Sequence, residues 1–254
     1  MAPISCGHSA ANATAFETPE LPDYVAPMIA NPTAHMAMTL RALTRKEFVA
    51  DGVIHLIGIV AGLGGAATLV IATATRGSPL ELAALITYSG GLLAMLGCSA
   101  AYHLLHSSRR RELLRCFDHS AIFLMIAGTY TPFTLLRIKP LWGIVLTGLV
   151  WSIAALGIVL RLWRPRLFDR LSIGFYLALG WAGLAAIGLL IPSVQLSTLV
   201  LLAAGGLLYT VGVVFHVWER LPFQTAIWHG FVLVAAAAHY AAVLDEIVVA
   251  HASV

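Results

Sequence analysis

The chain has 254 residues, 59% of them hydrophobic and only 11% charged, with a mean hydropathy of +0.88. A soluble domain carries about 25% charged residues; so little polar surface cannot coat a globule in water, and the composition points to an integral membrane protein. The formal charge of +3 argues against nucleic acid as a partner, and three scattered cysteines (Cys6, Cys98, Cys116) supply neither a disulfide framework nor a CxxC metal signature.

Residues 1–46 differ in kind from the rest of the chain. "MAPISCGHSAANATAFETPELPDYVAPMIANPTAHM" is rich in Ala, Pro and polar residues and has no Lys or Arg before Arg41. It lacks the early basic region and apolar core of a signal peptide. A flexible tail is expected, leading through the short amphipathic "LRALTRKEF" into a membrane domain over 47–254. From there, apolar runs long enough to span a bilayer, about 20 residues each, lie near 52–75, 82–105, 118–136, 141–161, 172–191, 197–217 and 226–248. Breaks such as "RGSPLE", "HSSRRRELLR", "RIKP" and "RLWRPRLFDR" separate them. Two-residue alternation is absent, which argues against a β-barrel. The expected fold is all-α: a seven-transmembrane helix bundle.

The basic residues set the orientation. Arg41, Arg45, Lys46, Arg109, Arg110, Arg111, Arg115, Arg161, Arg164, Arg166, Arg170 and Arg220 fall on one side, and only Arg76, Arg137 and Lys139 on the other. The positive-inside rule places the N-terminus in the cytoplasm and the C-terminus outside, in the inner cell membrane.

That orientation brings the polar residues of four spans to one depth near the inner leaflet. Span 1 begins with Asp51 and His55, span 2 ends with Ser99 and His103, span 3 begins with Asp118 and His119, and span 7 begins with Thr225 and His229. Three of these are i,i+4 pairs on one helix face. Ionisable groups in a membrane are costly and usually face a bundle interior or a wet cavity. Histidines with a carboxylate and a hydroxyl on facing helices have the ingredients of a zinc site: imidazole nitrogens bind Zn²⁺, and a catalytic site keeps one position for water. A carboxylate beside it can shuttle a proton, and a hydroxyl can orient water or an oxyanion.

"SAAYHLLHS", "FDHSAIFLMIAGTYTPF", "RLSIGFYLALGW" and "FQTAIWHGFVLVAAAAHY" resemble the hemolysin III family, the bacterial arm of the progestin and adipoQ receptors within a superfamily that includes the alkaline ceramidases. The resemblance covers about residues 46–245. It implies seven helices, a cytoplasmic N-terminus and a zinc site near the inner leaflet. By position it implies Ser99 and His103 as the Ser-x3-His motif of span 2, Asp118 as the acid that holds or activates water, and His229 as the second histidine of a His-x3-His motif.

The first histidine of that last motif falls on Thr225, a poor zinc ligand. Three repairs are open: Asp118 binds directly, His55 comes in from span 1, or the metal has been lost. His119 is a weaker fourth candidate, about 100° round the helix from Asp118. Plainer roles stand beside these. Ser99 and Thr225 suit close helix packing, and Asp118 suits a cap at its helix start. His239 lies about 15 Å deeper than His229 and reads as a structural or cavity-lining residue. His216 reads as solvated near a helix end. Two function classes remain: a zinc-dependent hydrolase of lipid amides or esters, with Asp118 and Ser99 catalytic and His103, His229, Asp118 and His55 as candidate ligands; or a non-enzymatic receptor-like or membrane-disrupting, hemolytic protein. Membrane lipids are the environment and the candidate substrate.

Overall fold

Polar breaks and capping residues divide the chain into seven long helices in the computed structural model, which describes residues 44–105 and 110–249. Helix α1 (Arg45–Arg76) starts at Thr44, whose hydroxyl caps the Glu47 amide while the Glu47 carboxylate reaches back to the Thr44 amide. The same reciprocal capping box, Ser78 with Glu81, starts α2 (Pro79–Leu104), where Pro79 takes a first-turn position that needs no N–H partner. Helices α3 (Arg111–Leu136), α4 (Pro140–Trp163) and α5 (Pro165–Trp181) come next. After α5 come a 3-10 segment over Ala182–Ala186 and one further turn, Ile187–Leu190. Helix α6 (Leu196–Val217) and helix α7 (Gln224–Val243), which runs on into a π-helical turn over Leu244–Val249, complete the chain order. No strand occurs among the described residues.

Seven of these helical stretches are long and apolar enough to cross a membrane, so the protein is a multi-pass membrane protein. Spans over 45–75, 79–104, 111–136, 140–163, 171–190, 196–217 and 224–246 match the seven apolar runs. The expected tail over 1–46 falls mostly on residues outside those described; Arg45 and Lys46 belong to α1.

One expectation is corrected. The apolar run suggests a helix beginning at Asp118, but α3 begins seven residues earlier at Arg111. The segment "RELLR" at its start is made of good helix formers, so the helix continues outward beyond the hydrophobic stretch. Asp118 therefore sits two turns inside α3 and is not its cap, which removes the plainer explanation for a carboxylate there.

Helix α3 is the most buried span and the fifth span the least. Two apolar clusters flank α3. Leu85, Tyr88, Leu92, Met125, Phe133 and Val243 pack on its α2 and α7 side, and Phe123, Val150, Phe168 and Leu179 on its α4 and α5 side. Gly91 lets α2 approach α3 closely, because a Cβ there would meet the Leu124 carbonyl oxygen at 2.7 Å. The 3-10 segment is pinned by Tyr130 of α3, whose hydroxyl donates to the Gly180 carbonyl at 2.9 Å and accepts from the Gly183 amide at 2.6 Å.

Ion pairs tie both ends of the bundle. Asp169 of α5 accepts from Arg115 of α3 at 2.7 Å and also binds Arg161 of α4, which is wholly buried. At the opposite end the buried Glu246 pairs with Arg137 at 3.0 Å and accepts from the Gln195 amide and the Thr198 hydroxyl. These partners offset the cost of placing charge in a low-dielectric interior.

Candidate metal centre

The site lies where α1, α3 and α7 begin and α2 ends. At its centre is Asp51, buried on α1. Its Oδ1 lies 2.6 Å from His229 Nδ1; a carboxylate only accepts, so the imidazole donates there, and in the neutral ring Nε2 carries the lone pair. His55, one turn along α1, donates Nδ1–H to the Asp51 backbone carbonyl at 2.9 Å. Its Nε2 is likewise left with a lone pair, 3.3 Å from the Ser99 hydroxyl. His103 of α2 stands beside them, with Nδ1 3.9 Å from Asp51 Oδ2, but is not one of the three residues whose ligand atoms all lie within 4.8 Å of one another. Ring centroids stand 4.4 Å apart for His55 and His229, 4.5 Å for His103 and His229, and 5.7 Å for His55 and His103.

Three imidazoles from three helices thus surround one carboxylate. Asp51, His55 and His229 each offer a ligand atom, all within 4.8 Å of one another, so they can hold a metal ion. Asp51 is the least accessible of them. It is absent from the cavity wall that His55, His103 and His229 line, and its Oδ1 is already occupied by His229. That geometry suits a carboxylate that orients a ligating histidine from behind. The three histidines His55, His103 and His229 all line the cavity.

The chemistry of the tight group fits a divalent metal ion: two imidazole nitrogens and a carboxylate oxygen lie within 4.8 Å of one another. The Ser99 hydroxyl lies beside them, 3.3 Å from His55 Nε2.

Asp118 lines the same cavity, next to Ser99, but is not a member of the tight group. His119 also lines the cavity but is not a member of the tight group: its Nδ1–H donates to the Arg115 carbonyl at 2.9 Å, and its backbone carbonyl accepts from Tyr176. Thr225 is the second residue of α7 and lines the cavity, its hydroxyl donating to Gln224 Oε1 at 3.2 Å. His216 is exposed at the end of α6, its ring centroid 4.9 Å from that of Trp228.

Two residues that support the site have no assigned role at the level of sequence. Asp51 carries a signal there, its i,i+4 spacing with His55. Glu47 does not: it is buried, and its Oε1 accepts from the Phe223 amide at 2.8 Å, 176 residues away. Phe223 has φ of 58°, a left-handed conformation costly for a bulky side chain. The Glu47 bond holds that strained corner, which sets where α7 and His229 begin.

From this cluster a cavity of about 970 Å³ runs between the helices, lined mainly by apolar side chains from all seven spans. It has the size of a lipid or drug-sized ligand site.

A family model described as "Haemolysin-III related" matches residues 44–240. The chain is 36% identical over 201 residues to the hemolysin-3 homolog of Bacillus subtilis (strain 168), covering 79% of this chain and 94% of that protein. It is 35% identical over 199 residues to hemolysin-3 of Bacillus cereus, covering 78% and 91%. It is 32% identical over 163 residues to the human monocyte to macrophage differentiation factor, covering 61% and 67%. No solved structure matches the chain.

Proposed function

The chain belongs to the haemolysin-III-related family, and on that footing we propose that it is a zinc-dependent hydrolase of the inner cell membrane acting on a lipid amide or ester. The observation that carries the reading is the convergence of His55, His103 and His229 around Asp51 at one end of an apolar cavity, with Ser99 and Asp118 beside them. His55 takes the place that Thr225 leaves empty in the seventh-span motif. Zinc favours such a nitrogen set with one position open. When bound, it supplies Lewis acidity, polarising a carbonyl and lowering the pKa of water to about 7.

The residues divide the remaining work. Asp51 holds the His229 ring in the tautomer that presents Nε2. Asp118 takes a proton from the attacking water and returns it to the leaving amine or alcohol. Ser99 orients that carboxylate through its single O–H. The apolar cavity takes the acyl chain and excludes bulk water, which strengthens each electrostatic contact inside. With the N-terminus in the cytoplasm, as the twelve-to-three division of basic residues supports, the cluster lies near the inner leaflet and a lipid enters from the side.

A second reading draws on the names of the two bacterial relatives: a membrane-disrupting activity with no turnover. Metal analysis of the purified, detergent-solubilised protein separates the two. The hydrolase reading expects near-stoichiometric zinc that falls in His55→Ala, His103→Ala and His229→Ala, together with hydrolysis of a lipid amide or ester lost in Asp118→Asn. Zinc-free protein that still lyses vesicles favours the second.

A further inference from the structure

The cavity carries a second polar feature that the hydrolytic reading leaves unused. Ten residues along α7 from His229, about 15 Å at 1.5 Å per residue, His239 lines the same cavity. Its Nε2–H donates to the Leu202 carbonyl of α6 at 3.2 Å, so in the neutral ring Nδ1 carries a lone pair, with no hydrogen-bond partner among the described residues. Facing it is Tyr209 of α6, also a cavity residue, with ring centroids 5.6 Å apart. The Tyr209 hydroxyl is buried and has no hydrogen-bond partner among the described residues. An unpaired buried hydroxyl is costly and calls for an explanation. Tyr88 also has an orphaned hydroxyl, but it does not reach the cavity. Gly205 makes the arrangement specific: a Cβ at that position would overlap the His239 ring.

We propose that Tyr209 and His239 form a second polar subsite that binds a hydroxyl group carried partway along a lipid acyl chain. The pair offers one donor, the Tyr209 O–H, and one acceptor, His239 Nδ1. A hydroxyl is the simple group that answers both. A carbonyl or ether oxygen would satisfy Tyr209 and leave Nδ1 unpaired. The separation fixes where the hydroxyl lies. With the polar linkage at the histidine cluster, a span of about 15 Å corresponds to about a dozen carbons of extended chain, given C–C bonds of about 1.5 Å. This deepens the lipid-hydrolase reading by naming a substrate class, and it rests on that reading only for the position of the linkage.

The test reads binding, not turnover. The full chain, zinc-supplemented in detergent, is titrated with octadecanoic, 12-hydroxyoctadecanoic and 2-hydroxyoctadecanoic acids, in wild type, Tyr209→Phe and Gly205→Ala. The 12-hydroxy acid should bind wild type about tenfold more tightly than octadecanoic acid, the order of one net hydrogen bond. That preference should vanish in both variants, while octadecanoic and 2-hydroxyoctadecanoic acids keep their wild-type affinities in Tyr209→Phe. Equal binding of all three acids, a preference that survives Tyr209→Phe, or no binding of any acid would each overturn the subsite. Selective binding without hydrolysis of any amide or ester would refute the hydrolase reading alone and leave the subsite standing.

Discussion

Replacing Asp51 by Asn separates an orienting carboxylate from a metal ligand. The amide keeps an oxygen that can accept from His229 Nδ1, which lies 2.6 Å from Asp51 Oδ1 in the native protein, but it loses the negative charge that faces three imidazoles. A hydrogen bond to a charged group contributes about 1.5–3 kcal/mol and a neutral one about 0.5–1.5, so the substitution forfeits about 1–2 kcal/mol of His229 orientation. Loss of such a supporting partner typically weakens metal binding about 10–100-fold, and the lower half of that range matches the lost hydrogen-bond energy. Competition against a fluorescent zinc chelator measures the affinity, and elemental analysis of metal-saturated protein measures the stoichiometry. Asp51→Asn should still reach one zinc per chain, with affinity about 10–30-fold weaker. Loss of stoichiometric binding as complete as in His55→Ala would make Asp51 a direct ligand. An unchanged affinity would refute the coupling between Asp51 and His229.

Further outcomes come from the same geometry. In a His55→Ala background, Thr225→His should restore stoichiometric zinc measured by elemental analysis, because Thr225 lines the cavity one helical turn before His229; no recovery would show that α7 cannot supply the missing imidazole. Glu47→Ala removes the acceptor for the Phe223 amide and the cap of α1. It should cost about 2–4 kcal/mol, read as a lower Tm in detergent, with zinc affinity falling as well. Asp169→Ala strands the wholly buried Arg161 and should destabilise by about 3–5 kcal/mol, whereas Arg161→Met with Asp169→Leu should cost far less; equal melting temperatures would contradict this. Gly91→Ala drives a methyl against the Leu124 carbonyl and should lower stability by about 1–3 kcal/mol.

Much of the fold is legible in the sequence because a bilayer imposes a length and an apolar composition on each span, and both are one-dimensional properties. Helix ends are less so. Hydropathy ends with the membrane, but "RELLRC" continues α3 into the polar region, so Asp118 reads as a helix start when it lies inside. The 3-10 break at Ala182–Ala186 is invisible as well, since it depends on Tyr130 from another helix. Within the site, the shared depth of Asp51, His55, Ser99, His103, Asp118 and His229 comes from span order and orientation. Which of them touch does not. That depends on helix rotation and on the corner at Phe223, which Glu47 holds from the far end of the chain. The Thr225 departure is visible in the sequence, but the nearness of a histidine from another helix is not: the His55 and His229 rings lie 4.4 Å apart.

Zinc-edge X-ray absorption of the purified protein, wild type and His55→Ala, tests the three-histidine centre most directly. Ligation by His55, His103 and His229 predicts a four-coordinate zinc with three imidazole nitrogens at about 2.0–2.1 Å, reduced to two imidazoles, or to no bound zinc, in His55→Ala. A wild-type protein that takes up no zinc, or a zinc whose imidazole count is unchanged by His55→Ala, would contradict it.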